Sequence, residues 1–375
     1  VLLAVAVRSD FAESHHRGRA VGLAADGRAV LCAGPVDEPV FPRSANKPLQ
    51  AAAMLRAGLG LDGRLLALAA ASHSGEDFHL AGVREMLAGA GLDESALACP
   101  AGLPMDETAA HAVAVGGGPA RIYMNCSGKH AAMAVTCVAA GWPVDGYTDP
   151  GHPLQLLIRE QVQRLAGEQI AATGVDGCGA PLFAISIAGV ARAMRAMVLA
   201  EVGTPERRVA DAMRAYPAWT SGTGRAEGRL MAAVPGLIVK GGAEGVQVFA
   251  CADGRAGAVK IADGAQRAVT PVTVALLRAL GVGHVAVGAG GAGSAGESPV
   301  GAGTEGGGGT RRGGATGHGG DRVDVAVLDA LAASPLFGGG SQVGEVRAVW
   351  PPPVIGTAPD RRGACPATAS DRHGA

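Results

Sequence analysis

A mixed α/β (α+β) fold follows from three features of the chain. An apolar run, the turn Asp26-Gly27 and a second apolar run occupy residues 20–34. The same pattern returns over residues 246–261, with Asp253-Gly254 as the turn. Asp-Gly between apolar runs is a strong hairpin signal. Between the two hairpins the apolar spacing is mainly helical. Together these features predict an antiparallel sheet built from both chain ends, with a helical region between.

Taken in order, Val1-Leu2-Leu3-Ala4-Val5-Ala6-Val7 reads as a strand. It is too short for a membrane span. It also lacks the basic lead and cleavage site of a signal peptide. After the first hairpin, Pro48 to Gly58 is an Ala/Leu/Met-rich helix, with the proline tolerated in its first turn. Helical patterns follow over 65–71, 83–90, 128–140, 153–166, 184–199 and 207–216. From Gly288 to Gly320 almost every second residue is glycine. Such a stretch cannot bury enough apolar surface to offset its ordering entropy and is expected to be disordered. A helix resumes over 323–332, and 344–349 reads as a last strand. From Trp350 onward Pro, Arg and Ala dominate. The expected division is 1–287 for the catalytic body, 288–322 for the Gly-rich insert, 323–349 for the return of the body and 350–375 for a disordered tail.

Composition narrows the function. The 375 residues suffice for one large domain or two ordinary ones, each with an ample core. A net charge of -1 argues against nucleic acid or an anionic membrane as partner. Aromatics make up only 3%, so platforms for stacking bases or sugars are scarce. No run of eighteen or more apolar residues appears, so no membrane span is expected. The seven cysteines (Cys32, Cys99, Cys126, Cys137, Cys178, Cys251, Cys365) are odd in number and scattered. That pattern suits free thiols in a reducing cytoplasm.

Two short stretches concentrate reactive chemistry. In Arg43-Ser44-Ala45-Asn46-Lys47 a hydroxyl and an amine stand three residues apart, on one face if the segment is helical. A desolvated lysine can take the proton of such a serine. The start of the following helix would favour developing negative charge. The plain alternative is that Ser44 is a helix cap, which does not exclude catalysis. In Asn125-Cys126-Ser127-Gly128-Lys129-His130 a thiol, a hydroxyl and an amine crowd four residues. Asp176-Gly177-Cys178-Gly179-Ala180-Pro181 matches it with one cysteine in a glycine-containing turn. Two distant cysteines with a nearby amine or histidine suit zinc, though the segments lack a Cys-x-x-Cys spacing. Two small buried side chains packing together is the alternative. Asp176 is a candidate for gripping an amino-acid ammonium group.

Other segments carry weaker signals. Ala71-Ser72-His73-Ser74-Gly75-Glu76 clusters hydroxyls, an imidazole and a carboxylate at a helix end. It reads either as a polar cap or as a second hydroxyl, Ser72, with His73 and Glu76 in support. Lys240-Gly241-Gly242 lets backbone approach a ligand closely at a strand edge. Lys260, alone on a hairpin strand, reads as exposed. The paired His15 and His16 point to opposite faces of a strand, so they suit a surface or site edge better than a metal. The Thr220–Arg225 loop reads as a connector, with a lid as the alternative.

In this order, the motifs around Glu13–Gly18, Arg43–Lys47, Ala71–His73, Asn125–His130, Asp176–Pro181 and Lys240–Gly245 resemble the bacterial L-asparaginase II family of the Rhizobium etli type. The resemblance spans roughly residues 5–282 and a fragment after the insert. It implies a fold like that of serine β-lactamases and penicillin-binding proteins. The implied activity is hydrolysis of L-asparagine to L-aspartate and ammonia. It further implies two serine–lysine pairs: Ser44 with Lys47, and Ser72 with Lys240, Lys260 being the alternative partner. Cys126, Lys129 and Cys178 match the family's zinc site, where Zn(2+) would tune substrate binding without being strictly required. In the mechanism this suggests, Arg43 and Asp176 hold the substrate's carboxylate and ammonium. The implied partner is a small-molecule substrate, with a homodimer as the candidate assembly. The rivals are a glutaminase or penicillin-recognising hydrolase of the same fold, and a non-catalytic zinc-binding protein.

Overall fold

The computed structural model describes residues 1–283 and 322–351. The expectations for the Gly-rich insert between them, and for the tail past residue 351, lie outside the described residues.

Eleven strands are present among the described residues: β1 (Leu2–Arg8), β2 (Phe11–Leu23), β3 (Ala29–Ala33), β4 (Pro39–Val40), β5 (Ala172–Val175), β6 (Pro181–Ser186), β7 (Ile238–Gly242), β8 (Val246–Ala250), β9 (Ala256–Ile261), β10 (Ala333–Gly338) and β11 (Ser341–Ala348). The main sheet runs β10-β11-β1-β2-β9-β8-β7, with β3 pairing beside it on β2. Every pairing in it is antiparallel. A small second sheet has the order β4-β6-β5. The sheet therefore draws on both ends of the chain, with helices between.

Strand β2 spans two environments. Its first part pairs with β1, from Arg8↔Phe11 to Leu2↔Arg17. Its second part pairs with β9, from Gly18↔Ile261 to Leu23↔Ala256. Both anticipated hairpins form, and Gly27 and Gly254 take the positive φ of 92° and 91° that their turns require.

Helix Lys47–Arg56 is buried along its whole length except at Arg56. Its run of alanines lets neighbouring helices approach closely, and it packs on helices Pro153–Ala166 and Pro205–Ala215. Helix Ile187–Leu199 lies against β2, β8 and β9. A smaller apolar cluster stands apart from the main core and contains Leu68, Ala71, Met86, Cys99, Cys126 and Cys178. The two cysteines expected to meet thus share one satellite core.

Several elements differ from the sequence reading. Residues 184–186 belong to strand β6, and the helix begins only at Ile187. All six residues of β6 are buried, so the alternation that marks a half-exposed strand is missing. Ser186 ends the strand as a cap, its Oγ accepting from the Gly189 amide at 2.9 Å. The helix expected over 83–90 starts earlier, at Asp77. Helices Glu107–Gly116, Ala226–Ala233 and Val269–Ala279 and strand β10 were not anticipated. Cys99, Cys126, Cys137, Cys178 and Cys251 are free thiols. Cys32 is disulfide-bonded, which corrects the expectation of free thiols throughout. Among the described residues no helix is long and apolar enough to cross a membrane.

Candidate active site

The site forms where a tight turn meets the edge strand β7. Residues Arg43–Asn46 make a single 3-10 turn that runs directly into helix Lys47–Arg56. Gly242 on β7 permits this contact. A Cβ there would lie 2.5 Å from the Pro42 carbonyl oxygen and 3.2 Å from the Ser44 amide nitrogen. Lys240 stands two residues earlier on β7 and so projects from the same face of the strand. Ser72 follows helix Gly63–Ala69, and its amide donates to the Thr220 carbonyl at 3.2 Å.

These segments bring three of the expected side chains together. Lys47 Nζ donates to Ser72 Oγ at 3.1 Å and to the Ala71 carbonyl at 2.6 Å. Lys240 Nζ donates to the same Ser72 Oγ at 2.9 Å and to the Gly241 carbonyl at 2.8 Å. Ser72 is therefore held between two buried amines. Ser44 and Ser72 both line a cavity of about 550 Å³, along with Asn125, Arg225, Glu227 and the Gly241-Gly242 edge. The Ser44 hydroxyl makes no hydrogen bond among the described residues. The expected direct bond from Lys47 to Ser44 is replaced by one to Ser72, because the lysine points from the first helical turn towards the end of the neighbouring segment.

Of the two candidate partners for Ser72, Lys240 takes the place and Lys260 does not. Lys260 Nζ donates to the carbonyls of Glu244 at 2.7 Å and Ile261 at 2.5 Å. It shares the sheet face of Lys240 but stands two strands away, opposite Val246, and its amine is taken up by those carbonyls at the strand ends. Burial pushes the Lys240 amine down to about 7, helped by the positive charge of Lys47.

A second group of side chains sits beside the first. Lys129 Nζ donates to Cys178 Sγ at 3.0 Å. Burial alone would lower the Lys129 amine, but the thiols of Cys178 and Cys126 and the carboxylate of Asp176 raise it. The Cys126 thiol is held well below its ordinary value by its hydrogen bond with Cys178, against burial, with Lys47 and Lys129 contributing charge. Cys178 is raised by that same bond and by burial. The His130 imidazole binds the Tyr147 hydroxyl through Nδ1 at 2.8 Å, while its buried Nε2 has no partner. Burial pushes it down to about 4.

Two sulfurs and an amine are a soft donor set of the kind zinc accepts. No group of three or more His, Cys, Asp or Glu side chains among the described residues forms a metal cage. Zinc would therefore need the Lys129 amine as its third donor, in the deprotonated form.

Arg43 and Asp176 are paired with each other. Arg43 Nε donates to Asp176 Oδ1 at 2.8 Å. Burial would raise the Asp176 carboxyl, but the charge of Lys129 and the Arg43 hydrogen bond outweigh it and hold it low. Arg43 adopts a φ of 53°, a left-handed conformation that non-glycine residues seldom take.

Of the supporting residues, His73 Nε2 pairs with Ser127 Oγ at 2.9 Å. Glu76 accepts from the Thr223 amide at 2.9 Å and so anchors the loop that sequence reading left as a connector. That loop delivers Arg225 to the cavity, with Glu227 in the first turn of the helix behind it. Neither was picked out from the sequence. The only available signal was the polar, glycine-rich run that precedes them.

One hydroxyl, that of Ser72, is thus held by two buried lysines beside the edge of an antiparallel sheet. A family model described as L-asparaginase II matches residues 4–294, and the chain belongs to that family. No curated protein matches it. Among solved structures it is similar to Mglu in its native form, at 16% identity with a TM-score of 0.40. That match covers 73% of this chain and 66% of the Mglu chain, just under two thirds of its length. It is also similar to a beta-lactamase-type protein from Bacteroides dorei DSM 17855, at 13% identity with a TM-score of 0.39, covering 67% of this chain and 86% of that one. These likenesses are loose, and the fold described above rests on its own strand pairings.

Proposed function

We propose that the protein is an L-asparaginase that hydrolyses L-asparagine to L-aspartate and ammonia through a lysine-activated serine. The observation that carries this reading is the Ser72 hydroxyl gripped by Lys47 and Lys240 on the wall of the cavity that Ser44 also lines. Family membership supports the hydrolase class.

In this reading Ser44 attacks the carbon of the side-chain amide. Its proton would pass to Lys47 once the bound substrate draws the two groups together, and the Lys47–Ser72–Lys240 chain would return a proton to the departing ammonia. Water then cleaves the acyl-enzyme by the reverse route. The Ser44 amide, which faces Gly242, would stabilise the oxyanion, since the neighbouring Ala45 amide already donates to the Pro42 carbonyl. Lys240, close to neutrality near pH 7, is suited to accept and release protons.

Zinc, when held by Cys126, Cys178 and a neutral Lys129 amine, would supply positive charge beside the substrate. The Arg43–Asp176 ion pair stiffens the turn that carries Ser44. We assign the protein to the cytoplasm on its predominantly free thiols, with a homodimer as the candidate assembly.

A second reading makes Ser72 the nucleophile, and the two lysine contacts on its hydroxyl favour it. Acid-quenched reactions with L-asparagine, followed by peptide mass mapping, distinguish the two. An adduct of aspartyl mass on the Ser44 peptide supports the first, and one on the Ser72 peptide the second. Ammonia assays with asparagine and glutamine, beside a chromogenic β-lactam, separate the same-fold rivals. Metal analysis showing zinc without any turnover would favour the non-catalytic binder.

A further inference from the structure

Glu227 is one of two charged side chains that line the cavity, the other being Arg225. Its side chain is only 17% exposed, and it makes no hydrogen bond among the described residues. Its nearest ionic partner is Arg225, with Nε 3.9 Å from Glu227 Oε2, and Lys240 also feels its charge. That separation exceeds a hydrogen bond, so neither charge saturates the other. Arg225 Nε is buried without any partner. Both side chains line the cavity that holds Ser44 and Ser72. Glu227 Oε1 also sits over Gly241, 2.6 Å from where a Cβ would stand, so the carboxylate lies against β7.

A half-buried carboxylate and guanidinium that make no hydrogen bond to each other form a receptor for a group carrying both charges. The head of an α-amino acid is such a group, with ammonium and carboxylate on one carbon. Asp176 and Arg43 offer the same pair of charges, but they are bonded to each other at 2.8 Å and neither lines the cavity. We propose that Glu227 receives the substrate's α-ammonium and Arg225 its α-carboxylate, so that this pair restricts the enzyme to free α-amino acids. The inference rests on the amidohydrolase reading and adds to it which end of the substrate lies at the helix Ala226–Ala233.

The test compares ligands that differ only in the amine. L-Aspartate and succinate are titrated into the purified protein by calorimetry, and L-asparagine and succinamate are assayed for ammonia release. The wild-type protein is expected to bind aspartate about tenfold or more tightly than succinate. In Glu227→Gln the aspartate affinity falls by about that factor and KM for asparagine rises alike, while succinate affinity holds or improves. Equal losses for both ligands, or no loss for aspartate, would overturn the assignment. A role of Glu227 only in tuning Lys240 would alter kcat for asparagine and succinamate together and leave the ligand preference untouched. If the variant does not fold, the wild-type preference still decides: no preference for aspartate refutes the proposal. Failure of the asparaginase reading shows itself separately, as absence of ammonia from asparagine in a protein that still discriminates aspartate from succinate.

Discussion

Lys240 and Lys129 are buried to nearly the same degree, at 3% and 2% exposure, yet their amines shift in opposite directions. Lys240 faces a hydroxyl and a second lysine, and loses its hold on a proton. Lys129 faces two thiols and a carboxylate, and keeps its proton more firmly. Burial sets the size of the stakes, and the sign of the neighbouring charge sets the outcome. One fold thereby places a lysine suited to proton transfer beside a lysine suited to charge neutralisation.

Four experiments bear on this contrast. The largest expected effect is at the hydroxyl the lysines are to serve. Ser44→Ala should cut kcat for ammonia release by roughly 10⁴-fold with unchanged circular dichroism. Full activity in that variant would move the nucleophile to Ser72.

Next, Lys240→Met should lower kcat by roughly 10²–10⁴-fold. In the wild-type enzyme the rate should rise as pH climbs through about 7, because the amine must be neutral to take a proton. The variant should lose that rise. Stability gives a second view of the same group. With a folded pKa of about 7 against an ordinary 10.5, the folded protein binds fewer protons than the unfolded chain between those values. Stability should therefore increase with pH across that window, and urea titrations of Lys240→Met should show a shallower increase.

On the thiol side, Cys178→Ser removes the group that most strongly raises Lys129. Nitrogen NMR of the lysine amines should show Lys129 titrating at lower pH, with Lys240 little changed. A matching shift at Lys240 would mean that the two regions are not independent.

The smallest expected effect is at the strand that carries Lys240. Gly242→Ala should cost about 1–3 kcal/mol in urea denaturation, since its Cβ meets backbone of the Ser44 turn. Gly241→Ala meets only side chains, those of Glu227 and, at 3.8 Å, Gln247, which can shift, and should cost less.

Much of this arrangement is written locally in the chain. The two Asp-Gly hairpins form where their turn chemistry places them, and Ser72, Lys240, Cys126 and Cys178 all lie at the site. What stayed hidden depends on direction and distance. Whether Lys47 reaches Ser44 or Ser72 is set by how helix Lys47–Arg56 packs, which no three-residue spacing records. The choice between Lys240 and Lys260 turns on which strand ends at the cavity. Residues 184–186 read as helix because a fully buried strand carries no alternation. Glu227 left no signal because an acidic residue in the first turn of a helix is ordinary there. Its importance arises only from the partners it lacks.

The order of strands has a consequence for synthesis. β7, which bears Lys240, closes one side of the sheet, while β11 covers β1 towards the other and comes last in sequence among the described strands. Until residues 341–348 leave the ribosome, β1 presents unpaired amides and carbonyls to any passing extended segment. The nascent chain thus completes the Lys240 edge first and remains adhesive at the opposite one, so that slow translation of residues 341–348 should favour aggregation.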